Sequence, residues 1–92
     1  MRGYSASKDE LLARLARVEG QVRGIERMVE QDRYCIDILT QISAINAALN
    51  KVAVALLEDH LGHCVADSIT SGEGAEAKVK EAAQAVERFL KV

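Results

Sequence analysis

The sequence predicts an all-α fold, three helices to a chain, on three observations. None of its 92 residues is proline, three are aromatic, and 49% are hydrophobic, chiefly Ala, Leu, Val and Ile, so nothing in the composition interrupts a helix. Apolar residues recur at alternating four- and three-residue steps, the period of a helix with one buried stripe. Ser7 followed by Glu10 is the pattern of a capping box at the head of the first such run. A chain this short builds only a thin core by itself, so residues 1–92 are expected to form one domain that shares its core with other copies.

The first helix fits "SKDELLARLARVEGQVRGIERMVEQ", with Leu11, Leu15, Val18, Val22, Ile25 and Val29 on one stripe. Gly20 and Gly24 interrupt it at a cost of about 1 kcal/mol each relative to Ala, which a close approach to another helix or to a phosphate backbone would offset. Arg14, Arg17 and Gln21 share an arc of roughly 60° on one flank of the stripe. Such an arc is either a solvated face or a phosphate-contacting one.

The second helix is expected from near Asp32 to about His60. Ile42, Ile45, Leu49, Val52, Leu56 and the intervening alanines make it apolar on more than one side, as a central helix would be. Ser43, Asn46 and Asn50 form a polar arc suited to pairing across a helix interface. "SITSGEG" reads as a linker, and Thr70 or Ser71 as the cap of a third helix from about Glu73 to Lys91. Ala75, Val79, Ala82, Val86 and Phe89 give that helix heptad-like spacing.

The formal net charge of -2 argues against nonspecific polyanion binding, but the charges are uneven. Arg2, Lys8, Arg14, Arg17, Arg23, Arg27 and Arg33 crowd the first third, whereas residues 35–64 contain Lys51 as their sole basic side chain apart from histidine. The longest uninterrupted apolar run is short of a membrane span, and "MRGYSASKDELL" carries no hydrophobic targeting segment. No membrane association and a cytoplasmic location are expected. In that reducing compartment Cys35 and Cys64 are thiols, metal ligands or redox sensors rather than a structural disulfide.

Both cysteines and both histidines fall on or near the second helix. On a helical wheel Cys35, His60 and Cys64 point into an arc of about 40°, and His63 lies roughly 60° or more outside it. Yet at about 1.5 Å per residue, Cys35 and His60 are separated by roughly 37 Å of straight helix. One chain cannot bring them to one ion. Two such helices packed antiparallel in a symmetric dimer would, at two equivalent sites. The alternatives remain a small buried thiol and a surface or capping histidine. Two thiolates and one imidazole without an evident fourth ligand suit Cu(I) better than tetrahedral Zn(II). Gly62, between the histidines, is a place where the helix could stop and re-aim Cys64.

The run "RLARVEGQVRGIERMVEQDRYCIDILTQISAINAALNKV" followed by "HLGHC" closely resembles the copper-sensitive operon repressor (CsoR) family of bacterial transcriptional regulators. The resemblance spans nearly the whole chain and includes the spaced Cys, His, Cys set, "R-x-x-G-Q-x-x-G" and "Q-I-x-A". It implies an antiparallel helical dimer that pairs into a tetramer. It further implies one Cu(I) per subunit, held by Cys35 of one subunit and by His60 and Cys64 of another, with Tyr34 and Glu81 supporting the ligands. It implies partners too: operator DNA, bound through Arg14, with Arg17 and Gln21 nearby and Lys51 on the second helix, further copies of the chain, and a copper chaperone. DNA is held without copper and released with it, which frees copper-homeostasis genes. Same-fold relatives sense persulfide, nickel or cobalt, or formaldehyde; His60, the lack of an N-terminal histidine and Cys64 argue against these in turn. A helical dimerisation adaptor is the reading from another class. No nucleophile is paired with a base and an orienting acid, so an enzyme is not expected.

Overall fold

The computed structural model describes residues 3–91, and among them every element is helical, with no strand. A single 3-10 turn, Ser5–Ser7, leads into α1, Lys8–Glu30. Because the chain is already coiled there, Ser7 has φ -103° and ψ 5° rather than the extended backbone of a capping serine, and its side chain makes no capping bond. The expected capping box does not form. Glu10 instead accepts from Arg14 at 3.1 Å, one turn further on.

The end of α1 is built around Asp32, which adopts a left-handed conformation with φ 54°. Its N–H donates to the Val29 carbonyl at 3.1 Å, and the Arg33 N–H reaches back to the Met28 carbonyl at 3.0 Å. These two bonds are a Schellman closure, with aspartate in the place usually taken by glycine. The second helix therefore starts later than the sequence pattern suggested: Asp32 closes α1, and α2 is Cys35–Asp59. The Tyr34 carbonyl accepts its first bonds, from the N–H groups of Asp37 and Ile38.

Gly62 does not end the helix. His60–Val65 continues as a π-helical turn, in which the Ala66 N–H donates to the Leu61 carbonyl five residues back, and α3, Ala66–Ser71, follows. Cys35–Ser71 is thus one helical run. The linker is correspondingly shorter than expected, because "SITS" is helical. Gly72, with φ 75°, closes the run, and Gly74, with φ 69°, opens α4, Ala75–Leu90; both positions favour glycine. Ser71 does not cap α4 but receives the Glu73 N–H at 3.3 Å within the turn.

The described residues divide into two compact units, with the boundary inside α2. In the first, Ser7–Val54, the buried side chains are Leu11 and Val18 on α1 and Ile45 and Val52 on α2. Each pair is seven residues apart, the register of a helix–helix seam. The rest of the expected α1 stripe is not enclosed, and Leu15, Val22 and Val29 stay exposed. In the second unit, Ala55 onward with the N-terminal segment through Ala6, Val65 of the π turn and Ala82 of α4 are buried. An open apolar groove between Leu57 and Leu61 on one side and Val79 and Val86 on the other lies above Ala82.

The run Cys35–Ser71 is long and apolar enough to cross a membrane by length and composition, and holds an 18-residue window of mean hydropathy 1.3, 11% of it buried. Counting unbroken apolar residues understates it, since a few polar residues are spread through an otherwise apolar helix. The same face suits burial against other helices equally well.

Candidate metal centre and nucleic-acid interface

Cys35 is the first residue of α2, exposed and unpaired, while Cys64 is half-buried and also a free thiol. His60 opens the π turn that contains Cys64. In a turn closed five residues on, a residue four places later falls just short of one full revolution, so His60 and Cys64 remain on one side of the helix. His63, three places on, is further round and is exposed. Imidazole and thiolate one turn apart form a two-donor pair suited to a soft cation.

Among the described residues, no three His, Cys, Asp or Glu side chains gather into a group able to hold a metal ion. The π turn supplies two donors of the expected set, and the third begins a helix of 25 residues. Tyr34 is 67% exposed beside Cys35. Glu81, on α4, is also exposed and, among the described residues, makes no hydrogen bond to His60.

Two residues at the π turn are additions to the set expected from the sequence. Asp59 has its Oδ2 enclosed without a hydrogen-bond partner among the described residues. A signal for it existed, because Asp59 is seven residues beyond Val52, which is itself seven beyond Ile45. Gly3 is the other: a Cβ at this position would stand 2.9 Å from the Asp59 carbonyl oxygen and 3.0 Å from Cys64 Sγ. No periodicity connects residues so distant in the chain.

On α1, Arg14 and Arg17 are exposed, and so is Lys51 on α2. Gln21, on the same arc, is half-buried, with Oε1 enclosed and without a hydrogen-bond partner among the described residues. The Arg14–Glu10 pair is itself open to water, its side chains 44% and 69% exposed, so it holds Arg14 only weakly. A Cβ added at Gly20 or Gly24 would have nothing within 4 Å, so no neighbour among the described residues explains these glycines.

The family model described as metal-sensitive transcriptional repressor matches residues 7–88. The chain is 53% identical over 90 residues to the copper-sensing transcriptional repressor RicR of Mycobacterium tuberculosis, covering 97% of this chain and 94% of the relative. It is 56% identical over 87 residues to the copper-sensing transcriptional repressor CsoR of Bacillus subtilis, covering 95% and 85%. Among solved structures, the Cu(I)-bound copper-sensing repressor CsoR of Geobacillus thermodenitrificans superposes with a TM-score of 0.89 at 48% identity, covering 95% of this chain and 90% of that one. The nickel-responsive transcriptional regulator InrS follows with a TM-score of 0.77 at 36% identity, covering 88% and 90%.

Proposed function

Since this chain belongs to the metal-sensitive transcriptional repressor family, a family of regulators rather than enzymes, we propose that it is a Cu(I) sensor that represses transcription in the cytoplasm. One observation carries the choice of metal: the chain's soft donors are two free thiols, one of them a single turn from His60, and no three-residue ligand cluster exists among the described residues of one chain. This supports a site shared between subunits. Cys35 of one subunit and His60 and Cys64 of a second hold one Cu(I) per subunit, at two equivalent sites of an antiparallel dimer. Two dimers form the tetramer that meets DNA. A nickel response like that named for InrS is less suited to this chain, which has no histidine before His60.

In the metal-free state Arg14, Arg17 and Lys51, with Gln21 at their edge, face the operator and neutralise its phosphates. When Cu(I) binds, the π turn of one subunit is joined to the start of α2 in another. His60 couples this to the DNA face: one ring nitrogen takes the metal while the other donates to Glu81, with Tyr34 beside Cys35. The DNA-bound and free assemblies then differ in Cu(I) affinity, and by linkage Cu(I) lowers the affinity for operator. The repressed genes serve copper efflux or homeostasis. Operator DNA and further copies of the chain are the partners this requires; a copper chaperone is not needed for it.

The test is a titration of reduced protein on its own promoter DNA with Cu(I), Zn(II), Ni(II) and a persulfide donor. Release by about one Cu(I) per subunit, and not by the others at equal concentration, is the expected pattern. Release by persulfide or Ni(II) alone would replace copper with that inducer, and absence of any DNA binding would favour the adaptor reading.

A further inference from the structure

Gly3 differs from the five other glycines, none of which has a neighbour within 4 Å of its missing Cβ. A Cβ on Gly3 would meet the Asp59 carbonyl oxygen at 2.9 Å, Cys64 Sγ at 3.0 Å and the His63 Cβ at 3.3 Å. The two glycines with positive φ are Gly72 and Gly74, so Gly3 is needed for its lack of a side chain and not for its backbone angles. It lets the N-terminal backbone lie directly on the sulfur of Cys64, and it does so within one compact unit. Cys64 is half-buried, whereas Cys35, with nothing comparable over it, is exposed.

We propose that Gly3 is a positioning residue for the Cys64 thiol: its backbone lies against the sulfur and governs the access of metal to it. This rests on the reading of Cys64 as a ligand. The Asp59 carbonyl belongs to the helical backbone and cannot yield cheaply, so any side chain at position 3 displaces the N-terminal segment instead. Asp59 Oδ2, enclosed and without a hydrogen-bond partner among the described residues, sits at the same turn.

The experiment uses the reduced, metal-free full chain and N-ethylmaleimide, with both thiols followed separately by peptide mass. In the unaltered protein Cys64 is expected to react several-fold more slowly than Cys35. In Gly3→Ala and Gly3→Val, the Cys64 rate should rise about fivefold or more while the Cys35 rate stays constant, with helicity checked by circular dichroism. An equal Cys64 rate in the unaltered chain and in both variants overturns the shield, and Gly3→Ala alone decides if Gly3→Val does not fold. Transfer of Cu(I) from a chelator should also be faster in the variants; equal transfer rates would overturn control of loading. Absence of Cu(I) binding by the unaltered protein would instead count against the copper reading, because the alkylation result needs no metal.

Discussion

Arg14 and Lys51 stand in solvent, and what they contribute depends on what they meet there. An exposed pair such as Arg14–Glu10 is worth at most about 1 kcal/mol, so a phosphate can displace the carboxylate at little cost. Arg14→Ala and Lys51→Ala should each weaken operator binding and flatten its salt dependence by about one counterion for every phosphate no longer neutralised, multiplied by the subunits engaged. Fluorescence anisotropy at several salt concentrations measures both, and unchanged affinity with an unchanged slope in both variants would place the DNA on another face. Glu81 poses the opposite problem, since it does not bond His60 in this chain. A bond made only in the loaded state is the kind that distinguishes two states. Glu81→Ala should keep tight, thiolate-based Cu(I) binding yet lose most of a copper-induced drop in DNA affinity, typically about 1 to 3 kcal/mol. A full drop in that variant would exclude Glu81 as the link.

Helix boundaries are set by local backbone chemistry, and α1 ends in a way that can be tested without metal or DNA. Asp32 pays for a left-handed conformation that glycine adopts freely and a β-branched residue resists. Asp32→Val should destabilise the fold by about 1 to 2 kcal/mol, and Asp32→Gly should be neutral or mildly stabilising. Thermal melts resolve this, since 1 kcal/mol shifts Tm by about 4–8 °C in a domain of this size. Equal melting of Val and Gly variants would mean that the Schellman closure contributes nothing. The π turn makes a second element-scale case, because it is in effect an α-helix with one residue inserted. Deleting Gly62 should restore regular α-helix, retain helicity and stability, and weaken Cu(I) binding by bringing the two donors to a three-residue spacing. Undiminished copper affinity in a folded deletion variant would show that the turn is dispensable.

A single chain leaves most of its large apolar side chains uncovered. Leu15, Val22, Ile42, Leu49, Leu56 and Phe89 are each 38% exposed or more, and the buried set is confined to Leu11, Val18, Ile45, Val52, Val65 and Ala82 among the described residues. A core that thin is marginal by itself, so the assembly is expected to complete it. Sharing of ligands gives a direct test. A heterodimer of Cys35→Ala and Cys64→Ala chains holds one intact site and one lacking both thiols, so mixing two inactive variants should recover tight Cu(I) binding at half the normal stoichiometry. Verified heterodimers with no recovery would sink the bridging arrangement. Sedimentation should give a tetramer for the metal-free protein, with dissociation to folded monomers at micromolar concentration as the result against it.

The all-α class and the three helical runs follow from composition and from a 3.6-residue period, which are properties of neighbouring residues and need no partner. The same is true of the Cys, His, Cys spacing, since helix rise alone makes Cys35 and His60 remote along one chain. Tertiary structure decided the rest. Part of the α1 stripe is buried and part exposed, Leu11 and Val18 against Leu15, Val22 and Val29, a matter of which surfaces meet. Asp32 in place of a glycine, and Gly62 within a π turn instead of at a helix end, reflect near-equal local alternatives separated by small energies that packing resolves. Gly3 against Cys64 had no signature at all, because a contact between residues far apart in the chain is created by the fold and written in no period of the sequence.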